Sequence, residues 1–315
     1  MINVITVHWQ TPKWIEPQLS YLERNLAGDF RVFAALNGID DPEHRSRFYF
    51  GVDLEGDHPE KLNALAKTAI ERSDPADILM FIDGDAFPVQ SLDAWMDEAL
   101  RSYPLAAVRR DENFGDPQPH PCFCVTTVGF WREIGGDWGN GPGWVNNLGR
   151  KIRDPGGILY YRLQELNHEW LPLVRTNTDN PDPLWFAVYG HLIYHHGAGF
   201  RKRFSRFDQA RQTESAKAGV AKTTEPTVGS LRLAVQDDPS QLARIRPRHL
   251  LVAVRALQNA ILRRQRERSL SKKAEHDERV AVAQAEKIFA QLTVDPDFYL
   301  ALDSGARDGS SDSTP

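Results

Sequence analysis

Cysteine is nearly absent. The chain has 315 residues and two cysteines, Cys122 and Cys124. They stand too close in sequence to form a good structural staple, which argues against a disulfide-held scaffold. Both are expected to be reduced, on one face of a strand, in a cytoplasmic protein. A Cys-x-Cys pair alone is not read as a metal site. An excess of positive charge is also missing. Against 38 Lys and Arg stand 43 Asp and Glu, for a net charge of -5, which gives no case for nucleic-acid binding. No apolar run approaches the roughly 20 residues that a membrane helix needs. No basic or apolar leader precedes the first strand pattern, so a cytoplasmic protein without a transmembrane span is expected. There is no internal repeat.

What is present is a large apolar fraction, 41% of residues, enough for one large domain and an extension. Residues 2–9 alternate and are rich in β-branched side chains, as a strand requires. Ile15, Leu19, Leu22 and Leu26 recur at helical spacing over residues 14–26. A second strand is expected at 31–36, closed by Asn37-Gly38, and a short third at Asp53 and Leu54. Residues 58–70 form the strongest helix pattern, with Pro59 suited to its first turn and Leu62, Leu65, Ala66 and Ala69 as its buried stripe. Residues 78–82 read as a strand buried on both faces. A helix capped by Ser91 follows, carrying Leu92, Trp95, Met96 and Leu100. Strand alternating with helix predicts an α/β fold with a mostly parallel sheet.

Past Pro104 the pattern changes. Strands are expected at 105–109 and 122–128, with a polar loop over 111–121 between them. Asp154-Pro155-Gly156-Gly157 precedes a helix holding Leu159, Leu163 and Leu166. A short strand at 171–175 and a last strand over 189–197, ending in His195 and His196, complete a domain placed at residues 1–210. A polar linker at 211–240, a helical extension at 241–302 and a disordered tail at 303–315 are expected to follow. The extension carries Leu250, Val254, Leu257 and Ile261, then Val282, Ala285, Ile288, Phe289 and Leu292, at helical spacing among many Arg and Lys. These stripes are expected to pack within the protein or between subunits, so a homodimer is an open alternative, as is an anionic membrane surface.

The chemistry concentrates where the strand at 78–82 runs into Asp83-Gly84-Asp85. Asp83 and Asp85 alternate, so both can face one way, and Gly84 leaves room for a ligand. Two hard oxygen donors at the carboxyl end of a buried strand suit Mg2+ or Mn2+ against a diphosphate. The competing reading is plain turn chemistry, for which Asp-Gly is common.

In its order of features the chain resembles the nucleotide-sugar glycosyltransferases of the GT-A fold, of the kind grouped as glycosyltransferase family 2. The resemblance rests on the opening strand, Lys61-Leu62-Asn63-Ala64-Leu65-Ala66, Phe81-Ile82-Asp83-Gly84-Asp85, and Gly129-Phe130-Trp131-Arg132 with Gly135-Gly136. It covers roughly residues 2–200, and its motifs are individually weak. It implies a Rossmann-like sheet with an acceptor-binding half after the Asp-x-Asp strand. It implies a divalent cation, Mn2+ or Mg2+, and a nucleotide-diphospho-sugar donor. Asp85 would be the direct ligand, with Asp83 contacting ribose or a metal-bound water. His195 or His196 would add a later ligand; they alternate, so one alone can face the cleft. His8, Trp9, Gln10 and Thr11 would wall the nucleoside on one side and Asn37, in place of the family's usual Asp, on the other. Core packing is an equal reading for Trp9. Lys61 and Asn63 would face the diphosphate, although a solvated lysine reads as well.

An inverting transfer needs a carboxylate base at the acceptor hydroxyl. Asp154 is the first candidate, with a plain helix cap as its alternative, and Asp137 the second; Asp111 and Glu112 are further ones. The family's paired Glu-Asp is absent, since Arg153 precedes Asp154. The acceptor is not readable. Two other functions compete. A nucleotidyltransferase would carry a glycine-rich basic loop after the first strand, which residues 8–12 lack. A non-catalytic scaffold with a partner-binding helical tail would have no affinity for nucleotides.

Overall fold

In the computed structural model the described residues are 1–111, 113, 115–146, 149, 151–177, 186–196, 283, 286–295, 297 and 298. They belong to one compact unit, Met1–Lys202 with Ala281–Pro315. The expected linker at 211–240, the first helix of the extension and the tail at 303–315 lie outside the described residues, as does Glu112.

The elements run β1 (Ile2–Val7), α1 (Ile15–Asn25), β2 (Phe30–Ala35), α2 (Pro42–Ser46), β3 (Phe50–Val52), α3 (His58–Ile70), β4 (Ile78–Ile82), β5 (Ala86–Pro88) and α4 (Asp93–Ser102). Then come β6 (Leu105–Arg109), β7 (Pro119–Thr127), α5 (Val128–Glu133), β8 (Trp144–Val145), β9 (Lys151–Ile152), α6 (Gly157–Glu165), β10 (Leu171–Leu173), β11 (Ala187–Tyr189) and β12 (Ile193–His195). The fold is α/β. Seven strands form one sheet in the order β10-β6-β7-β4-β1-β2-β3. β1 pairs parallel with β2 and β4, β2 with β3, and β6 with β10, while β7 runs against β4 and β6. A mostly parallel, Rossmann-like sheet is thus what the alternating pattern gives.

Strand side chains alternate between two cores. Val4, Val32, Ala34, Met80 and Ile82 join Ile15, Leu19 and Leu22 of α1 and Met96 and Ala99 of α4. Ile5, Phe33, Ala35, Leu79 and Phe81 join Leu62, Leu65, Ala66 and Ala69 of α3, with Trp131, Trp138 and Leu159. Burying each such leucine contributes about 1.5–3 kcal/mol. Both faces being covered is why β4 reads as an uninterrupted apolar run.

Several expectations are corrected. The third strand is Phe50–Val52, before Asp53 and Leu54. Ser91 does not cap α4: the cap is Leu92 without a side-chain bond, and Asp93 instead accepts from the backbones of Ala27 and Gly28. The strand expected to start at 122 starts at Pro119, because a register shift opposite Ala107 and Val108 makes a bulge that tolerates Pro121. The same bulge separates the cysteines. Cys122 enters one core and Cys124 the other, although both are free and buried. Leu166 lies past the end of α6 and is exposed.

The last strand is two. Gly190 and His191 both adopt left-handed backbone, with φ of 58° and 57°, and fold β11 and β12 into an antiparallel hairpin. β12 then pairs antiparallel with β5, setting His195 opposite Ala86. Among the described residues, no helix is long and apolar enough to cross a membrane.

The described part of the tail, helical over 286–294, lies on α1. Tyr21 Oη donates to the Leu292 carbonyl at 3.1 Å, Lys13 Nζ meets Glu286 at 2.8 Å and Arg24 meets Asp297 at 2.6 Å. Phe289 packs edge-on against Trp14, with ring centroids 4.5 Å apart. Of the second apolar stripe, Ile288 and Leu292 are buried within the chain and Phe289 is half-buried, while Val282 and Ala285 lie outside the described residues.

Candidate metal centre

β4 ends at Ile82, and the chain turns through Asp83 and Gly84 into β5. The turn is closed by the Ala86 N–H donating to the Asp83 carbonyl at 2.9 Å. Gln18, fully buried on α1, reaches across to it. Its Nε2 donates to the carbonyls of Asp83 at 2.7 Å and Ala86 at 2.8 Å, and its Oε1 lies 3.1 Å from Thr6 Oγ1 and 3.0 Å from His8 Nε2. Two of the four hydrogen-bonding capacities of this buried amide hold the turn, and the other two tie it to Thr6 and His8.

The β5–β12 register then delivers His195. Its Nε2 is 3.5 Å from Asp83 Oδ2 and 3.5 Å from Asp85 Oδ1. Asp83, Asp85 and His195 each offer a ligand atom, and these atoms all lie within 4.8 Å of one another. Asp85 and His195 are buried and Asp83 nearly so. Two carboxylates and an imidazole gathered in this way fit a divalent cation by their donor set. Of the two histidines, it is His195 whose ring faces the aspartates. His196 points the other way, its Nδ1 2.8 Å from Tyr194 Oη and its ring 4.5 Å from that of Trp14, while its backbone N–H holds the Asp85 carbonyl at 3.0 Å.

Two histidines that were not anticipated complete the surroundings. His58, the first residue of α3, places Nε2 3.1 Å from Asp83 Oδ1. Burial opposes a charge on it, but Asp83 outweighs burial and raises its pKa. His120 on β7 accepts the Cys122 N–H on Nδ1 at 3.1 Å, and its ring centroid lies 6.3 Å from that of His195. Burial and the nearby Arg110 push its pKa well down, so the ring is neutral. On His195, burial again opposes charge and is outweighed by Cys122 and Asp85, raising its pKa well above the ordinary value. A visible signal existed for His58, which opens the clearest helix pattern of the chain. For His120 there was none, because the bulge that brings it into β7 has no sequence mark beyond Pro121.

The expected nucleoside wall is placed unevenly. Trp9 is 41% exposed at the carboxyl end of β1, with Lys61 Nζ 4.1 Å over its ring. Lys61 is otherwise enclosed, and burial lowers its pKa. His8, by contrast, is fully buried against Gln18, and burial holds its pKa down to about 4, so it is a neutral part of the scaffold rather than a wall. Asn37 exchanges two hydrogen bonds with the Leu54 backbone, at 3.0 and 3.3 Å, which prolongs the β2–β3 ladder. Thr11 Oγ1 accepts the Lys13 N–H at 3.3 Å, and Gln10 bends the chain with φ of 57°. Asn63 donates to Asp137 Oδ1 at 2.7 Å and accepts the Trp138 N–H at 3.0 Å. Asp137 also accepts the Gly139 N–H at 2.7 Å. Asn63 and Asp137 thus tie α3 to the glycine-rich loop, and Asp137 is committed there.

Asp154 is not the cap of α6; Gly156, with φ of 100°, holds that position without a side-chain bond. A side chain at Gly156 would meet the Pro119 carbonyl, so glycine lets the loop lie on β7. Asp154 Oδ2 instead lies 3.5 Å from Arg110 Nη2, which also meets Asp116 at 3.2 Å. Arg110 thus faces both the buried Asp116 and the half-exposed Asp154. Asp111 is exposed and paired with Arg109 at 2.7 and 3.0 Å.

No protein-family model matches the chain, and no curated protein matches it. Among solved structures, it is similar to the galactosyltransferase LgtC in complex with donor and acceptor sugar analogues, at 12% identity over 42% of this chain and 59% of that one, with a TM-score of 0.31. It is similar also to TarS of S. aureus, at 11% identity over 44% and 30%, TM-score 0.32. The apo form of the glycosyltransferase GlyE of Streptococcus pneumoniae TIGR4 matches at 14% identity over 54% and 44%, TM-score 0.35. The chain spans less than two thirds of the length of these structures.

Proposed function

We propose that the chain is a metal-dependent glycosyltransferase that moves a sugar from a nucleotide-diphospho-sugar to an acceptor hydroxyl. The observation that carries this reading is the Asp83–Asp85–His195 cluster at the carboxyl end of β4, where ligands bind in open α/β sheets. Mn2+ or Mg2+ held there would neutralise charge developing on a nucleoside diphosphate as it departs. Asp85 and His195 would be direct ligands, and Asp83 would share the cation through Oδ2. Trp9, exposed beside Lys61, offers an aromatic face for the nucleoside, and the Lys61 ammonium lies next to it.

Asp154 is the residue we assign as base. It is half-exposed, it is not the cap of α6, and its Oδ2 lies 3.5 Å from Arg110 Nη2. If it removes the proton of the acceptor hydroxyl on the face opposite the departing diphosphate, transfer inverts the anomeric carbon. The test is equilibrium binding. A panel of nucleoside diphosphates titrated into the full chain should show at least one that binds with Mn2+ and is released by chelator. Failure of all of them to bind, with Mn2+ present, would reject the reading.

A further inference from the structure

We propose that His58 is a positioning residue of the metal centre, which holds one carboxylate oxygen of Asp83 so that the other is aimed at Asp85 and His195. The inference rests on the metal reading above.

Asp83 presents one oxygen to each of two imidazoles. Oδ1 lies 3.1 Å from His58 Nε2 and Oδ2 lies 3.5 Å from His195 Nε2. His58 touches Asp83 yet falls outside the trio whose ligand atoms are mutually within 4.8 Å. It therefore stands behind the carboxylate rather than among the ligands. The terminal torsion of an aspartate is broad, so a carboxylate without a partner samples many orientations. Asp85 makes this worse, because like charges side by side repel. An imidazole fixed at Oδ1 orients the group and leaves Oδ2 facing His195.

The backbone that carries His58 is itself fixed. Asp57 and Glu60 form a reciprocal capping box, with bonds of 3.2 and 2.7 Å, and Pro59 sits in the first turn. α3 is pinned to the sheet by Leu62 and Leu65. The His58 side chain is 37% exposed, so it is not a buried core side chain. A ligand's outer partner of this kind typically changes metal affinity by about 10–100-fold when removed.

The experiment is Mn2+ titration of the full chain without any donor, read by the electron paramagnetic resonance of free Mn2+. Wild type, His58→Ala, His58→Gln and Asp85→Asn are compared, with circular dichroism to show that each is folded. His58→Ala should bind Mn2+ about 10–100-fold more weakly, and His58→Gln, which keeps an N–H at similar reach, should recover most of that loss. Should His58→Ala prove unfolded, His58→Phe, which keeps the ring volume and loses the N–H, takes its place: a loss of about 10–100-fold supports the inference and wild-type affinity overturns it. Tight binding by a folded His58→Ala, with Asp85→Asn defective, would overturn this inference and leave the metal reading standing. A wild type that binds no Mn2+ would overturn both.

Discussion

Replacing Gln18 with leucine tests how the aspartate turn is held. The change keeps the volume and the helix propensity of α1 but removes the amide. Four hydrogen bonds go, at 2.7, 2.8, 3.1 and 3.0 Å, of which all but the 2.7 Å bond to the Asp83 carbonyl are fully buried. A buried polar group left without its partner costs about 1–3 kcal/mol. The Asp83 carbonyl keeps its bond from Ala86, and the Thr6 hydroxyl can rotate, so the full sum is not reached. Leucine regains about 1–2 kcal/mol by burying apolar surface. The net expectation is a loss of roughly 2–4 kcal/mol, a large part of the ~5–15 kcal/mol that holds a folded domain. Urea unfolding of the metal-free protein measures it, by the shift in midpoint at constant slope. Because the lost bonds fix the Asp83 backbone, Mn2+ affinity should fall as well. A variant within about 1 kcal/mol of wild type, with unchanged Mn2+ binding, would refute the reasoning.

Three further outcomes are expected. Asp154→Asn should retain donor binding and lose turnover by about 10²–10⁴-fold; near-normal turnover would show that another group takes the proton. Stability of the metal-free protein should fall as pH drops from 6.5 to 4. Burial holds His8 and His196 at about 4, so the unfolded chain binds protons in that window that the folded chain does not. His58 and His195 are shifted upward and act in a separate window above 6.5, so denaturation at stepped pH resolves the two; a flat acid limb would contradict the assignment. Phe289→Ala should cost about 1–3 kcal/mol, because the half-buried ring packs on Trp14 and under Lys13, and an unchanged melting temperature would show that the tail contributes nothing to the domain.

The sheet was readable because its strands are covered on both faces and its helices carry clean apolar stripes. α3 is the clearest case: Pro59, Glu60 and the Leu62/Leu65/Ala66/Ala69 stripe fix its start and its inner face without any tertiary information. Asp83 and Asp85 were likewise visible, since two charges ending a buried strand demand a reason. What escaped the sequence depends on pairing. Whether His195 or His196 faces the aspartates is decided by the β5–β12 register, and that register exists only because Gly190 and His191 make a turn inside what reads as one strand. His8 stands in the stretch expected to wall the nucleoside, yet it is buried, because Gln18 of α1 reaches it from across the layer. Asn37 and Asn63 show the same limit. Asn37 is consumed by the Leu54 backbone, and Asn63 by the Asp137 side chain and the Trp138 N–H, all distant in sequence.

The central claim is that Asp83, Asp85 and His195 hold a cation against the diphosphate of a sugar donor. The measurement that tests it most directly is product release from a panel of nucleotide-diphospho-sugars, in Mn2+ and in excess chelator, for wild type and Asp85→Asn. The account predicts that at least one donor yields a nucleoside diphosphate with wild type and Mn2+. Chelation or Asp85→Asn should reduce that release by about a thousandfold or more, which corresponds to several kcal/mol of barrier. Release that persists in chelator, or a product that is pyrophosphate rather than nucleoside diphosphate, would contradict it.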